Sequence, residues 1–395
     1  MLDIERRYRR ALASEFLPRV RGSVASVDST TLGAELQFPP AVDEIPQPPA
    51  FCFDNEWQPH YSSARCEAPL QVKTLYLPVV AGARLVGNGI VVARNDLILS
   101  ESLGRHAAKL GLEEDEDETY RLSPKLRLSL HRAQKRTVVH HDCTAMMLFD
   151  PAIHSFGMWM LKCLTKLSLL PLLEQPDIHV VVPAHVPDFY LALMQDLGIR
   201  SDRIIYHDPA GISVFDRLIV PPKTYTFTST RCENPFEIFC YTDRKTKSPL
   251  LLPGHSKRRI YISRRSIPRR RLANEADVEK VFGDFDFHIS EPSALTAAET
   301  VSMFANCEFI AGPHGSGLYN GMFSRKSIRA LQLVPPDLKF ENAFLITTHV
   351  FGGKGGAAGY IFGRMIEDQR SRADEFDYSW EIDLDRLREV LSRVL

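Results

Sequence analysis

Several patterns that would indicate a function are missing from this chain of 395 residues. Its seven cysteines are scattered, with no Cys-x-x-Cys pair and no Cys/His cluster of the kind that binds structural zinc. No strand-like run is followed by Gly-x-Gly-x-x-Gly and an acidic residue about twenty positions later, which disfavours a nicotinamide-dependent oxidoreductase. The formal net charge is −1, whereas a general nucleic-acid binder usually carries a basic domain. Nucleic acid is therefore not an expected partner.

Export and membrane-spanning signals are also lacking. Residues 1–16 contain no continuous apolar stretch, so we expect no secretory signal. The most apolar segment, 159–173, is interrupted by Lys162 and Lys166 and does not predict a membrane span. An odd number of cysteines without a spacing pattern favours a reducing compartment. We expect a cytoplasmic protein. The basic amphipathic pattern of 1–16 leaves peripheral association with the inner face of a membrane open.

The composition is that of a globular protein with more than one domain. Hydrophobic residues make up 44% of the chain and charged residues 25%. A chain of this length forms two or three domains with sizeable cores. Four segments are predicted: an N-terminal β-rich extension over 1–135 with an acidic loop at 113–118, a first Rossmann-like domain over 136–255, a second over 256–365, and a C-terminal segment with a closing helix over 366–395.

Strands and helices alternate in both central segments, which predicts parallel sheets covered by helices. In the first we expect strands at 137–139, 146–149, 178–183, 203–206 and 214–220, with helices at 155–169 and 188–197. In the second we expect strands at 259–263, 285–289, 308–311 and 328–334, with helices at 274–282, 296–305 and 316–323. Short strands in the extension are predicted at 74–77, 83–86, 89–92 and 97–99, with a hairpin turn at Asn88-Gly89.

Two strand ends in the second central segment carry the residues of an anion site. The strand at 259–263 is followed directly by Arg264 and Arg265, whose forked donors suit a diphosphate. The strand near 309–313 is followed by the loop His314-Gly315-Ser316-Gly317, where small residues let a backbone approach a phosphate. Loops at the carboxyl ends of parallel strands converge on one crevice. The pair predicts a nucleotide-diphosphate site between the two halves of the protein, although each piece alone is compatible with an ordinary turn or a solvated patch.

The same stretch resembles the catalytic-domain signature of family 61 glycosyltransferases. The matching pieces are Tyr261 to Arg265, Asn274-Glu275, Glu291, Glu299, Gly312 through Asn320, and Phe323. The resemblance implies an α/β protein of GT-B type, with two Rossmann-like domains facing a cleft. It also implies inverting transfer from a nucleotide-diphosphate sugar to a glycan or lipid-linked saccharide, as in bacterial capsular polysaccharide synthesis. The donor-binding residues that we expect on this basis are Tyr261, Arg264, Arg265, Glu291, Glu299, Gly312, His314, Gly315, Ser316, Gly317 and Asn320.

Neither a cofactor nor a metal is expected. No Asp-x-Asp pattern stands at a suitable strand end: Asp284-x-Asp286 lies at the start of a predicted strand and fits a turn better than a metal site. GT-B enzymes generally stabilise the leaving diphosphate with cationic side chains and a helix N-terminus. Glu299 has a second interpretation, because Thr296 three residues earlier predicts a capping box. Arg269, Arg270 and Arg271 are expected to face solvent or an anionic acceptor glycan.

The general base is the least defined part of the site. Family members commonly carry Asn-x-x-His-Trp, but Ser155 and Met158 stand where the Asn and His would be. His154 and Asp150 are therefore the candidate catalytic residues beside His314, with His140 and His141 as further candidates at a predicted strand end. The departure also leaves open a degenerate member that binds nucleotide or glycan without turnover.

Overall fold

The computed structural model describes a mixed α/β protein. The described residues are 75–87, 89–93, 98–99, 102, 137–149, 156–173, 177–221, 250–325, 327–336, 357–368 and 377–395, together with the backbone of short strands within 23–38, 112–122 and 227–232. Most of them fall into two compact units, within Lys73–Thr224 and within Tyr225–Leu395. Each unit is built around its own sheet.

The strands are β1 Ser23–Val24, β2 Ser26–Val27, β3 Ala34–Phe38, β4 Leu75–Val86, β5 Ile90–Val92, β6 Ile98–Leu99, β7 Leu112–Glu114, β8 Tyr120–Leu122, β9 Val138–Met147, β10 His179–Pro183, β11 Ile204–His207, β12 Ile212–Ile219, β13 Phe227–Thr228, β14 Arg231–Cys232, β15 Arg259–Ile262, β16 Arg271–Leu272, β17 His288–Ser290, β18 Phe309–Pro313, β19 Arg329–Val334, β20 Ala357–Phe362, β21 Arg364–Asp368 and β22 Tyr378–Glu381. The α-helices of regular length are α1 Asp188–Asp196, α2 Glu275–Asp284, α3 Ala297–Phe304 and α4 Leu384–Val394. Shorter or irregular helical segments are Phe156–Met158, Trp159–Cys163, Leu164–Leu173, Ser201–Arg203, Pro292–Ala294 and Ser316–Phe323.

The first unit contains a sheet in the order β11-β10-β9-β12-β4-β5-β6-β2, with β3 also paired to β4. Strands β11, β10, β9 and β12 are parallel, as the alternation of strands and helices predicts. Strand β4 then joins β12 antiparallel and also pairs antiparallel with β5, and Asn88 of the predicted turn between them lies outside the described residues. Strands β4, β5 and β6 of the predicted extension thus share a sheet with the parallel strands β9 to β12.

Three predictions for the first unit are wrong in detail. The separate strands expected at 137–139 and 146–149 form one continuous strand, β9, because β12 pairs with it from Val138 to Met146 and β10 pairs with its carboxyl end. The two short strands at 74–77 and 83–86 likewise merge into β4, which β12 pairs over most of its length. The helix expected at 155–169 is irregular and contains π and 3₁₀ turns through residue 173.

The second unit contains a five-stranded parallel sheet in the order β17-β15-β18-β19-β20. The predicted strand at 285–289 lies slightly later, at β17, because α2 continues to Asp284 and Asp286 turns in a left-handed conformation with φ of 63°. The predicted capping box is confirmed: Thr296 and Glu299 bond reciprocally at the start of α3.

The C-terminal elements complete the core of the second unit. Leu387, Val390 and Leu391 of α4 lie in one buried cluster with Val278 and Phe282 of α2. Strand β22 pairs with β16 and β21 in a small sheet. The side-chain amide of Asn274 bonds both the N–H and the C=O of Ile382, at 3.2 and 2.7 Å. This contact anchors the C-terminal segment next to the turn that follows β15 and β16.

Within the described residues, no helix combines the length and apolarity that a membrane crossing requires.

The packing of α4 predicts a stability effect. Leu387 has no exposed surface, so Leu387→Ala removes buried methyl groups and leaves a cavity. We expect it to lower the free energy of unfolding by about 2–5 kcal/mol. Arg388→Ala is the matched control on the same helix, since Arg388 pairs with an exposed Asp385 and such pairs contribute at most about 1 kcal/mol. Urea denaturation followed by circular dichroism measures both, and equal losses would contradict the packing.

Candidate functional site

The order of the five-stranded sheet creates a crevice at a defined place. In chain order its strands run second, first, third, fourth and fifth, so the direction of the connections reverses between β15 and β18. Ligands of such sheets bind outside the carboxyl ends of the strands at this switch point. Strand β15 ends at Ile262 and β18 at Pro313. The two predicted motifs, which begin at Arg264 and His314, therefore adjoin the same crevice.

Three glycines let the end of β15 approach the loop after β18. A Cβ at Gly312, whose φ is 158°, would lie 2.8 Å from the carbonyl oxygen of Ile262. A Cβ at Gly317 would lie 2.8 Å from Ile262 Cγ2, and a Cβ at Gly315 would lie 2.5 Å from Nη1 of Arg264. The predicted reason for these glycines was access for a phosphate. In the structure the space that they leave is filled by β15 and by the Arg264 guanidinium.

Arg264 is the cation that the crevice holds most closely. Its backbone N–H donates to Glu275 Oε1 at 2.6 Å, which fixes the turn after β15, and Nη2 donates to Arg269 O at 3.5 Å. Among the described residues, no carboxylate forms an ion pair with its guanidinium. Burial, and then the charge of Arg270, lower the pKa of Arg264 to about 10, so it remains cationic near neutral pH. A desolvated guanidinium of this kind favours an anionic ligand.

His314 is held as a neutral imidazole. Its backbone N–H donates to Leu333 O at 2.8 Å, and its Nδ1 donates to Oε1 of the buried Gln332 at 2.8 Å. The ring proton therefore sits on Nδ1, and Nε2 is left as an acceptor. Burial, the charge of Arg270 and then that of Arg264 lower the pKa of His314 to about 4. The side chain can accept a hydrogen bond from a hydroxyl group at physiological pH.

Glu275 is a supporting residue that matched the family pattern but was not among the expected donor-binding residues. It is buried at the start of α2, where its carboxylate accepts from the Arg264 N–H and from the hydroxyl of Tyr261 at 3.3 Å. Burial raises its pKa, while the Arg264 N–H bond opposes that rise. Tyr261 is itself fully enclosed, so its side chain reaches the site only through Glu275. The Asn-Glu pair in the family pattern signalled this position, but its role needed the tertiary contact.

Arg270 is a second cation near the crevice. Arg270 was expected to face solvent with its neighbours, and Arg269 and Arg271 are indeed exposed. Arg270 is instead half-buried, and its charge acts on both Arg264 and His314. Nothing in the local sequence distinguishes it from the other two, because the residues that bury it come from distant parts of the chain.

The remaining predicted donor-binding residues differ in their burial and in the contacts that they make within the protein. Arg265 forms a two-bond ion pair with Glu279, and Glu299 is occupied in its capping box. Glu291 and Ser316 are half-buried at the starts of short helical turns. Asn320 is buried, and its amide closes the turn by donating to Gly317 O at 2.8 Å. Contact of these residues with a donor stays a prediction.

The candidate bases of the first unit are only partly placed. Asp150, His154 and Ser155 lie outside the described residues. Met158 is half-buried in the irregular helical segment, and the adjacent Trp159 is buried with its ring stacked on Tyr190 at 4.7 Å. His140 and His141 were expected at a strand end.

Those two histidines instead lie near the amino end of the continuous strand β9, whereas sites of parallel sheets form at the carboxyl edge. The ring of His141 stacks on Phe215 at 4.8 Å, and burial lowers its pKa. Their position weakens the case for either as the base.

Comparison with known proteins agrees with the chemistry of this site. Residues 156–331 match the family model described as Glycosyltransferase 61. The matched stretch takes in the crevice of the second unit and part of the first unit, and over it the chain is similar to that family. A search of curated proteins finds no match. Within the described ranges, no group of three or more His, Cys, Asp or Glu is arranged to hold a metal ion.

The environment of His314 predicts an unusual titration. An ordinary histidine has a pKa near 6.5, and we expect His314 in the free protein to titrate near the value of about 4 that burial and the two arginines impose. A bound diphosphate places negative charge beside the ring, which favours the imidazolium and raises the pKa. NMR of imidazole-labelled protein, with His314→Gln to assign the signal, measures both values. A free-state midpoint near 6.5 would contradict the described site.

Proposed function

We propose that the protein is a glycosyltransferase that moves a sugar from a nucleoside-diphosphate sugar to a glycan or lipid-linked saccharide. The diphosphate is proposed to bind at the switch point of the second unit. The observation that carries this proposal is the Arg264 guanidinium, seated against Gly315 between the ends of two adjacent parallel strands. The family match to residues 156–331 supports the reaction class.

The proposed chemistry needs negative charge to be stabilised on the leaving group. As the bond between the sugar C1 and the phosphate oxygen breaks, the departing nucleoside diphosphate gains charge, and Arg264 is positioned to accept it in a partly desolvated environment. The first N–H groups of the Ser316–Phe323 turns add donors at the same loop. His314 Nε2 is proposed to accept a hydrogen bond from a hydroxyl of the donor sugar.

Finer parts of the proposal rest on the resemblance. The reaction is proposed to invert the anomeric centre, with a base that removes the proton of the acceptor hydroxyl as its oxygen attacks C1. The base is proposed among Asp150 and His154. We also propose a GT-B arrangement, in which the second unit binds the donor and the first unit binds the acceptor. The same proposal places the protein in bacterial surface or capsular polysaccharide synthesis, at the cytoplasmic side of the membrane.

The site predicts which arginine a donor requires. We expect Arg264→Ala to weaken nucleoside-diphosphate binding by about tenfold to a hundredfold, since a hydrogen bond to a charged group contributes about 1.5–3 kcal/mol. Arg258→Ala is the matched control: it removes the same charge from the residue just before β15, at the opposite edge of the sheet, where Arg258 pairs with Glu308 at 2.7 Å. Calorimetry with a panel of nucleoside diphosphates measures the difference.

Two outcomes would change the proposal. Equal affinities in the Arg264→Ala, Arg258→Ala and wild-type proteins would place the diphosphate elsewhere. Binding that depends on Arg264, without transfer or hydrolysis of any nucleotide sugar, would favour the alternative of a catalytically degenerate binder, for which Ser155 and Met158 are the motivating residues.

Catalysis is further predicted not to depend on a divalent metal. The reason is that guanidinium groups at the crevice can neutralise the leaving group. Protein that has been treated with a chelator and exchanged into metal-free buffer should retain its transfer rate. Activity that is lost on chelation and returns only with Mg²⁺ or Mn²⁺ would overturn this part of the proposal.

A further inference from the structure

Arg270 adopts a backbone conformation that its residue type disfavours. Its φ is 54°, in the left-handed region. In the described residues only one other non-glycine residue, Asp286, has a positive φ, and aspartate tolerates such turns better than arginine. A strained conformation of this kind persists only where the surrounding structure enforces it, and it is concentrated at functional sites.

The enforcing contact comes from the C-terminal strand β22. The indole N–H of Trp380 donates to the carbonyl oxygen of Arg270 at 3.0 Å, and the Trp380 carbonyl accepts from Ala273 N at 2.7 Å. Trp380 is 1% exposed, and Gly363 leaves out the Cβ that would collide with its ring. Pairing of Arg271 with Ser379 and of Leu272 with Trp380 continues the contact through β16. The turn that carries Arg270 is thereby fixed from both sides.

The fixed turn brings a second guanidinium to the switch point. Arg264 Nη2 reaches the carbonyl of Arg269, the residue just before Arg270. After burial itself, the charge of Arg270 has the largest effect in lowering the pKa of both Arg264 and His314. The two half-buried guanidinium groups repel each other, which is why the charge of Arg270 lowers the pKa of Arg264. A ligand with two or more negative charges would relieve the repulsion.

We propose that Arg270 is a second diphosphate-binding residue of this site and that Trp380 is the positioning residue that holds it there. The proposal rests on the proposed diphosphate site and extends it to the C-terminal segment. Arg264 approaches from the end of β15 and Arg270 from the turn before β16, so the ligand's two phosphates are bound by cations from two separate loops.

A double-mutant cycle on the full chain tests both roles. The probe is inorganic pyrophosphate, titrated by calorimetry at about 0.15 M salt to screen distant charges. We expect Arg270→Ala to weaken binding by about tenfold to a hundredfold. Arg271→Ala removes the same charge from the exposed neighbouring side chain, and we expect an effect of at most about twofold. Trp380→Phe keeps an aromatic ring and removes the N–H donor together with part of the buried indole.

The cycle separates a positioning role from a merely structural one. If Trp380 acts through Arg270, Trp380→Phe weakens pyrophosphate binding in the wild-type background and has little further effect in the Arg270→Ala background. Equal effects in the two backgrounds would overturn the positioning role. Wild-type affinity in Arg270→Ala, with binding lost in Arg264→Ala, would overturn the role of Arg270 while the proposed function stands. Wild-type affinity in both arginine variants would overturn the two proposals together.

Discussion

The contact on which the candidate site depends is the seating of the Arg264 guanidinium against Gly315. It requires a residue without a side chain after β18 and an arginine two positions beyond the end of β15. It also requires that these two strands be neighbours in space although β17 lies between them in sequence. The parallel register of β15 and β18 supplies that adjacency, with Tyr261 opposite Ala311. Glu275 then fixes the turn from which the arginine extends, by accepting its backbone N–H.

Features that depend on local chemistry were predictable from the sequence. The parallel strands of the second unit follow from short apolar runs separated by helical patterns, and the capping box from the Thr296–Glu299 spacing. The convergence of Arg264 and His314 could also be anticipated, because it requires only that two motifs follow two parallel strands. The match of residues 156–331 to the Glycosyltransferase 61 model agrees with the resemblance on which the reaction class was expected.

Features that depend on distant partners were not predictable. Strands β4 and β9 each appeared as two short runs. Pro78 and Gly82 interrupt the pattern in β4, and polar central residues interrupt it in β9, while pairing with β12 keeps both backbones extended. The setting of Arg270 depends on Trp380, which lies 110 residues away in the sequence. The neutrality of His314 has the same origin, because burial and two cations lower its pKa although its local sequence is that of an ordinary glycine-rich turn.

The placement of the cations explains why the C-terminal segment is part of the second unit's core. Two guanidinium groups near one half-buried imidazole raise the free energy of the folded protein, so the surrounding structure has to hold them in place. Asn274, through both amide atoms, ties the start of α2 to Ile382, and Trp380 ties the preceding turn to β22. Burial of Leu387, Val390 and Leu391 in the same core stabilises the fold and so offsets the free-energy cost of this repulsion. The hydrophobic packing of α4 and the electrostatics of the crevice are therefore coupled through one strand, β22.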